Sequence, residues 1–168
     1  WYDHCNATYR AAGHSGDIFM VGEVFNEYND SGAPYKTYLE AIPSVFDFSF
    51  WWRLSEALNK YSGSSFASSL AAQEKAYADA GGIASLKLSN HDEDRTGDIL
   101  GKSAAKEKQA AAILLTAPGK PFIYQGEELG YYGSKSSGDE YVRTPMNWDG
   151  GAWADEQLGG KVISALKD

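Results

Sequence analysis

Apolar positions along the chain form two alternating kinds of run. Short continuous runs, "DIFMVG" (17–22), "SVFDFSF" (44–50), "IASLKL" (83–88) and "PFIY" (121–124), carry few charges and have the length of buried strands. Longer stretches between them carry helical signals. Residues 1–12 read as a helix closing at Gly13. A polar loop at 26–34 precedes a short helical stretch at 35–41. Leu54, Leu58 and Tyr61, spaced i, i+4, i+7, predict a helix over 51–61. The Ala-rich stretch 66–80 stops at Gly81-Gly82, and 103–117 stops at Pro118-Gly119, both ordinary helix ends. Helix and strand alternate in order, which is the signature of parallel strands joined by crossover helices. The expected fold class is therefore α/β.

Composition narrows the function. The 168 residues are 43% hydrophobic and carry a formal charge of −8. That balance, with no basic stretch of useful length, argues against nucleic acid or an anionic membrane surface as partner. No apolar run approaches the roughly 18 residues of a membrane span. A single cysteine, Cys5, forms no internal disulfide and leaves the compartment open. The first residue is Trp rather than Met, so the chain reads as a piece of something longer.

The polar residues then fall into a pattern. The first run leads into Glu23, the third into Asn90, His91 and Asp92, and the fourth into Gln125, Glu127 and Glu128. Each set lies just past the C-terminal end of an expected strand, the face where a parallel α/β barrel gathers its active site. Carboxylates on neighbouring loops with a histidine beside them suit acid/base work at an acetal or ester. "HDED" (91–94) also admits a metal reading, weakened because adjacent side chains point apart and no second His stands at helical spacing. "GDILGKS" (97–103) has glycines one residue too close for a phosphate loop and is expected to cap the next helix. Glu127 and Glu128 are expected to make structural hydrogen bonds, and at least one of Trp51 and Trp52 to be core.

"VGEVF" (21–25), "LSNHDEDR" (88–95), "APGKPFIYQGEELG" (117–130) and "RTPMNWD" (143–149) resemble glycoside hydrolase family 13, the α-amylase family. There the fifth barrel strand ends in Glu-Val-aromatic, the seventh in Asn-His-Asp, and the eighth carries G-x-P-x-x-Y-x-G-E-E. All occur here in order, so the resemblance covers essentially the whole chain. It implies a partial TIM (β/α)8 barrel running from about helix 4 to strand 8. The third- and fourth-strand hallmarks, with the nucleophilic Asp, are missing, and a barrel needs about 250 residues. Residues 1–168 are thus expected to be the C-terminal half of a catalytic barrel, inactive and self-associating alone for want of the N-terminal half.

By the same resemblance, Glu23 corresponds to the general acid/base and Asp92 to the carboxylate that stabilises the transition state. His91 corresponds to a residue bonding sugar hydroxyls, and Arg95 to one that holds substrate or orients a carboxylate. Phe25 and Asn90, within the same motifs, are carried over as substrate contacts. The implied activity is retaining hydrolysis of α-1,4-glucosidic bonds in starch, maltodextrin or related oligosaccharides. An oligosaccharide α-glucosidase, an α-1,6-glucosidase or a transglycosylase of the same family is the near alternative. A non-catalytic barrel scaffold is the distant one, and the presence of Glu23 and Asp92 weighs against it. An α-glucan or oligosaccharide is the expected partner. Location follows substrate: extracellular or cell-surface for a polymer, cytoplasmic for short oligosaccharides. No cofactor is required by these residues; many relatives carry structural calcium, with ligands expected mostly upstream.

Overall fold

The computed structural model describes residues 1–25 and 33–146. Helix α1 (Tyr2–Ala11) leads to a short strand β1 (Val21–Gly22). Helix α2 (Ala33–Leu39), strand β2 (Ser44–Asp47) and helices α3 (Phe48–Lys60) and α4 (Ser64–Asp79) follow. Strand β3 (Ile83–Lys87), helices α5 (Thr96–Ile99) and α6 (Ala104–Thr116), strand β4 (Lys120–Phe122) and helix α7 (Asp139–Val142) complete the order. The four strands lie side by side in chain order, all parallel, with Ser44 opposite Ile83 and Ser85 opposite Lys120. This is the order of consecutive strands in a (β/α)8 barrel.

Pleat and register divide the sheet into two faces. Val45, Ala84 and Leu86 face the helices and join Leu54, Leu58, Tyr77, Ala110 and Leu114 in one buried apolar cluster. The other face carries Ser44, Phe46, Ser85, Lys87 and Phe122. There Phe46 meets Phe122 edge-on at 4.8 Å, and Ser44 Oγ bonds Ser85 Oγ at 2.7 Å. The helix-facing side is wholly apolar along β3, while the second face mixes aromatic rings with Ser44, Ser85 and Lys87.

The strands are shorter than the runs that mark them. The run 44–50 is strand only to Asp47, whose Oδ1 accepts the Phe50 N–H at 3.1 Å and so starts α3 at Phe48. The cap overrides the β preference of "FSF". In the run 17–22, only Val21 and Gly22 enter the ladder. Strand β4 stops at Phe122 because the Tyr124 N–H donates to Glu127 Oε2 at 3.0 Å. The helix ends agree more closely. Ser103 caps α6, as "GDILGKS" suggested, and α6 stops before Pro118 with Ala117 extended. Gly81, at φ +70°, supplies the left-handed residue after α4. Trp148 and most of the 26–34 loop lie outside the described residues.

Candidate active site

The end of β3 carries the densest set of polar side chains, and each is held differently. The Asn90 side-chain oxygen accepts the Asp92 N–H at 2.9 Å, folding the strand end into a tight turn. Asp92 projects outward. Its Oδ2 lies 3.0 Å from His91 Nε2, and its Oδ1 lies 2.9 Å from Arg143 Nη2 and 3.5 Å from Lys135 Nζ. Arg143 Nε also donates to the His91 carbonyl at 3.1 Å, so one guanidinium grips both backbone and side chain of the turn. Asp139 pairs with Lys135 at 2.5 Å and with Arg143 at 2.8 Å, holding both cations in place.

Glu93 turns the other way. It pairs with Lys87, and its Oε1 accepts the Trp52 indole N–H at 3.1 Å. Asp94 Oδ1 accepts Ser134 Oγ at 3.0 Å and the Lys135 N–H at 2.6 Å. The three carboxylates thus diverge, and the described residues contain no group of three or more His, Cys, Asp or Glu side chains placed to hold a metal ion.

Arg95 lies deeper than a residue expected to hold substrate. It is wholly buried, with its guanidinium 4.8 Å from the Tyr124 ring and 5.4 Å from the Tyr131 ring. Its Nη1 donates to the Gln125 carbonyl at 2.8 Å and its Nη2 to Thr144 Oγ1 at 3.3 Å. Neither of these hydrogen bonds, made among the described residues, goes to a carboxylate. Instead Arg95 fastens the β3 end to the loop after β4. That loop is tied down twice more, by Tyr124 Oη to the Val142 carbonyl at 2.9 Å and by Gln125 Nε2 to the Thr144 carbonyl at 2.7 Å. With Val142 and Thr144 both pinned, the residue between them, Arg143, is delivered to Asp92.

Glu127 is the second fastener. Its Oε1 accepts the Ser89 N–H at 3.0 Å, Ser89 Oγ at 2.6 Å and Thr96 Oγ1 at 2.7 Å, while Oε2 takes the Tyr124 N–H. This is the structural role the sequence suggested. Glu128 likewise accepts the Gly126 N–H at 3.0 Å.

At the end of β1, Glu23 is exposed. Phe25, two residues on and 62% exposed, meets the Phe48 ring edge-on at 4.8 Å and the Trp52 ring at 6.0 Å. Trp51 is core, whereas Trp52 is half-buried and faces this loop. Lys87 links the two strand ends. Burial pushes its ammonium down in pKa, and the carboxylates of Glu93, Glu127 and Glu23 push it back up. Sequence reasoning passed over Lys87, although a charge inside "IASLKL" was a visible signal. Lys135 and Asp139 gave no such signal, because only the loop's path brings them to Asp92.

Parallel strands with their reactive groups gathered past the C-terminal ends define this segment as part of a (β/α)8-barrel protein with its site on the usual face. Residues 2–157 match the family described as alpha amylase, catalytic domain. Among curated proteins the chain is 51% identical over 150 residues to alpha-amylase SusG of Bacteroides thetaiotaomicron, covering 88% of this chain and 21% of SusG. It is 34% identical over 140 residues to alpha-amylase 3 of Dictyoglomus thermophilum, covering 79% and 26% respectively. Among solved structures, the alpha-amylase from H. orenii superposes with a TM-score of 0.71 at 29% identity, covering 88% of this chain and 29% of that one. The chain belongs to the α-amylase family. It spans about a fifth to a quarter of the length of these two curated relatives.

Proposed function

We propose that the protein containing this chain is a retaining α-glucan hydrolase that cleaves α-1,4-glucosidic bonds. One observation carries the reading: Glu23 and Asp92 stand past the ends of parallel strands β1 and β3 in a chain half identical to an α-amylase. Glu23 gives its proton to the glycosidic oxygen as the bond to the anomeric carbon breaks. A nucleophilic carboxylate, placed by a strand outside these residues, takes that carbon as an ester. Glu23 then removes a proton from the water that displaces the ester. Asp92 faces the positive charge that develops on the ring and accepts hydroxyls of the same sugar, with His91 beside it. Substrate therefore competes with Arg143 and Lys135 for Asp92. Exposed Phe25 and half-exposed Asn90 line the approach to these two carboxylates.

The test uses the full-length enzyme. Glu23→Gln keeps the shape but not the proton, so turnover of maltoheptaose falls by at least about 10²–10⁴-fold. A glucosyl fluoride, which leaves without protonation, loses much less. Asp92→Asn, acting on the ring, harms both substrates alike. Equal losses on both substrates for Glu23→Gln refute its role as the acid. Activity confined to isomaltose, with none on amylose, refutes the α-1,4 assignment.

A further inference from the structure

In the run Asp92-Glu93-Asp94-Arg95, three side chains attach to the segment after β4, and only Glu93 turns into the sheet's second face. Its partner Lys87 is 3% exposed and shares that face with Phe46, Ser85 and Phe122. The Lys87 ammonium lies 4.1 Å from the Phe48 ring centroid. A buried ion pair adds little net stability over an apolar pair of the same shape. Stability alone is therefore a weak reason for a lysine in this strand. Geometry offers a stronger one. Glu93 directly follows Asp92, so drawing Glu93 inward onto Lys87 and Trp52 turns Asp92 outward. Trp52 and Phe48 in turn contact Phe25, two residues from Glu23. One buried unit thus reaches the loops that carry both candidate catalytic carboxylates.

We propose that Lys87 and Glu93 are positioning residues, whose buried pair with Trp52 sets the strand-end turn so that Asp92 faces the substrate. The proposal rests on the glycosidase reading. Neither residue touches substrate; both act through Asp92.

The experiment compares Lys87→Met, Glu93→Gln and the double variant in the full-length enzyme. It measures kcat and KM on maltoheptaose, acarbose affinity by calorimetry, and melting temperature. Each single variant lowers kcat by about 10- to 100-fold, the size of a misplacement near 1 Å. KM stays within about threefold, as for contacts realised at the transition state. Melting temperature also drops in each single variant, because one buried charge is left alone. The double variant leaves no unpaired charge and recovers the melting temperature while kcat and acarbose affinity stay low. Recovery of kcat together with stability overturns the proposal, as does a kcat loss that only tracks the unfolded fraction. If Lys87→Met does not fold, Glu93→Gln, which keeps an acceptor for Trp52, decides by the same split. Failure of the glycosidase reading shows separately, in an unsubstituted enzyme that neither cleaves maltoheptaose nor binds acarbose, and it removes this proposal with it.

Discussion

Asp47 offers a prediction whose size comes from the structure. It ends β2, caps α3 through Phe50, and is 1% exposed. Its Oδ1 also accepts Gln73 Nε2 at 3.3 Å, while its Oδ2 has no hydrogen-bond partner among the described residues. The Tyr77 hydroxyl lies close enough to favour the charged form, yet completes no hydrogen bond of normal geometry. Burial pushes the carboxyl from 3.8 up to about 6, against the opposing pull of the cap amides, Lys87 and Tyr77. At 1.36 kcal/mol per pH unit that difference is worth roughly 3 kcal/mol. The folded state holds the proton more tightly than the unfolded chain. The stabilising contribution is therefore complete below pH 3.8 and lost as pH rises through about 6. Asp47→Asn stays neutral throughout, caps α3 comparably, and places an N–H₂ donor where Oδ2 lacks a partner. Unfolding of the full-length protein and the variant, by urea between pH 4 and 8, should give curves that meet near pH 4. They should diverge by about 3 kcal/mol at pH 7.5, with the variant more stable. Other titrating groups cancel in the difference. A difference that does not change with pH, or a less stable variant at pH 7.5, refutes the argument. The effect reaches the site, since α3 carries Phe48 and Trp52.

Glu127→Gln sets an N–H₂ either against the donors of Ser89 and Thr96 or against the Tyr124 N–H, and should lower stability by about 2–3 kcal/mol with a loss of activity, read by melting and by kcat/KM. An unchanged melt contradicts its fastening role. Gly133→Ala would bring a Cβ to 1.9 Å from the Tyr141 carbonyl oxygen, backbone that cannot give way as a side chain can. A stability loss of about 1–3 kcal/mol is expected, with reduced kcat/KM because this loop carries Lys135 and Arg143 to Asp92. A variant that melts and turns over like the wild type contradicts that packing.

Local pattern alone determined much of this protein. Short runs rich in apolar and aromatic residues marked β2, β3 and β4 because each strand packs at least one face against the helices or the neighbouring rings. Gly81, Ser103 and Pro118 marked helix ends because their backbone and capping chemistry is local. "GEVF", "NHDEDR" and "QGEELG" were legible as strand ends because polar residues that close an apolar run must leave the sheet. What one residue does within such a run was not legible. "HDEDR" reads as one cluster, yet Asp92, Asp94 and Arg95 attach by different partners to the segment after β4, while Glu93 goes to Lys87 and Trp52. Arg95 reads as holding substrate or orienting a carboxylate, and the structure packs it between Tyr124 and Tyr131. Nothing in the run marks Glu93 as the acid that is held by a lysine six residues earlier and a tryptophan from α3. Apart from Lys87, these outcomes depend on partners about 30 to 50 residues away in sequence. A side chain's direction at a strand end is set by which opposite charge or donor the fold brings within about 3 Å. Only the tertiary structure decides that, because sequence spacing fixes the periodicity of a face but not what the neighbouring loop presents to it.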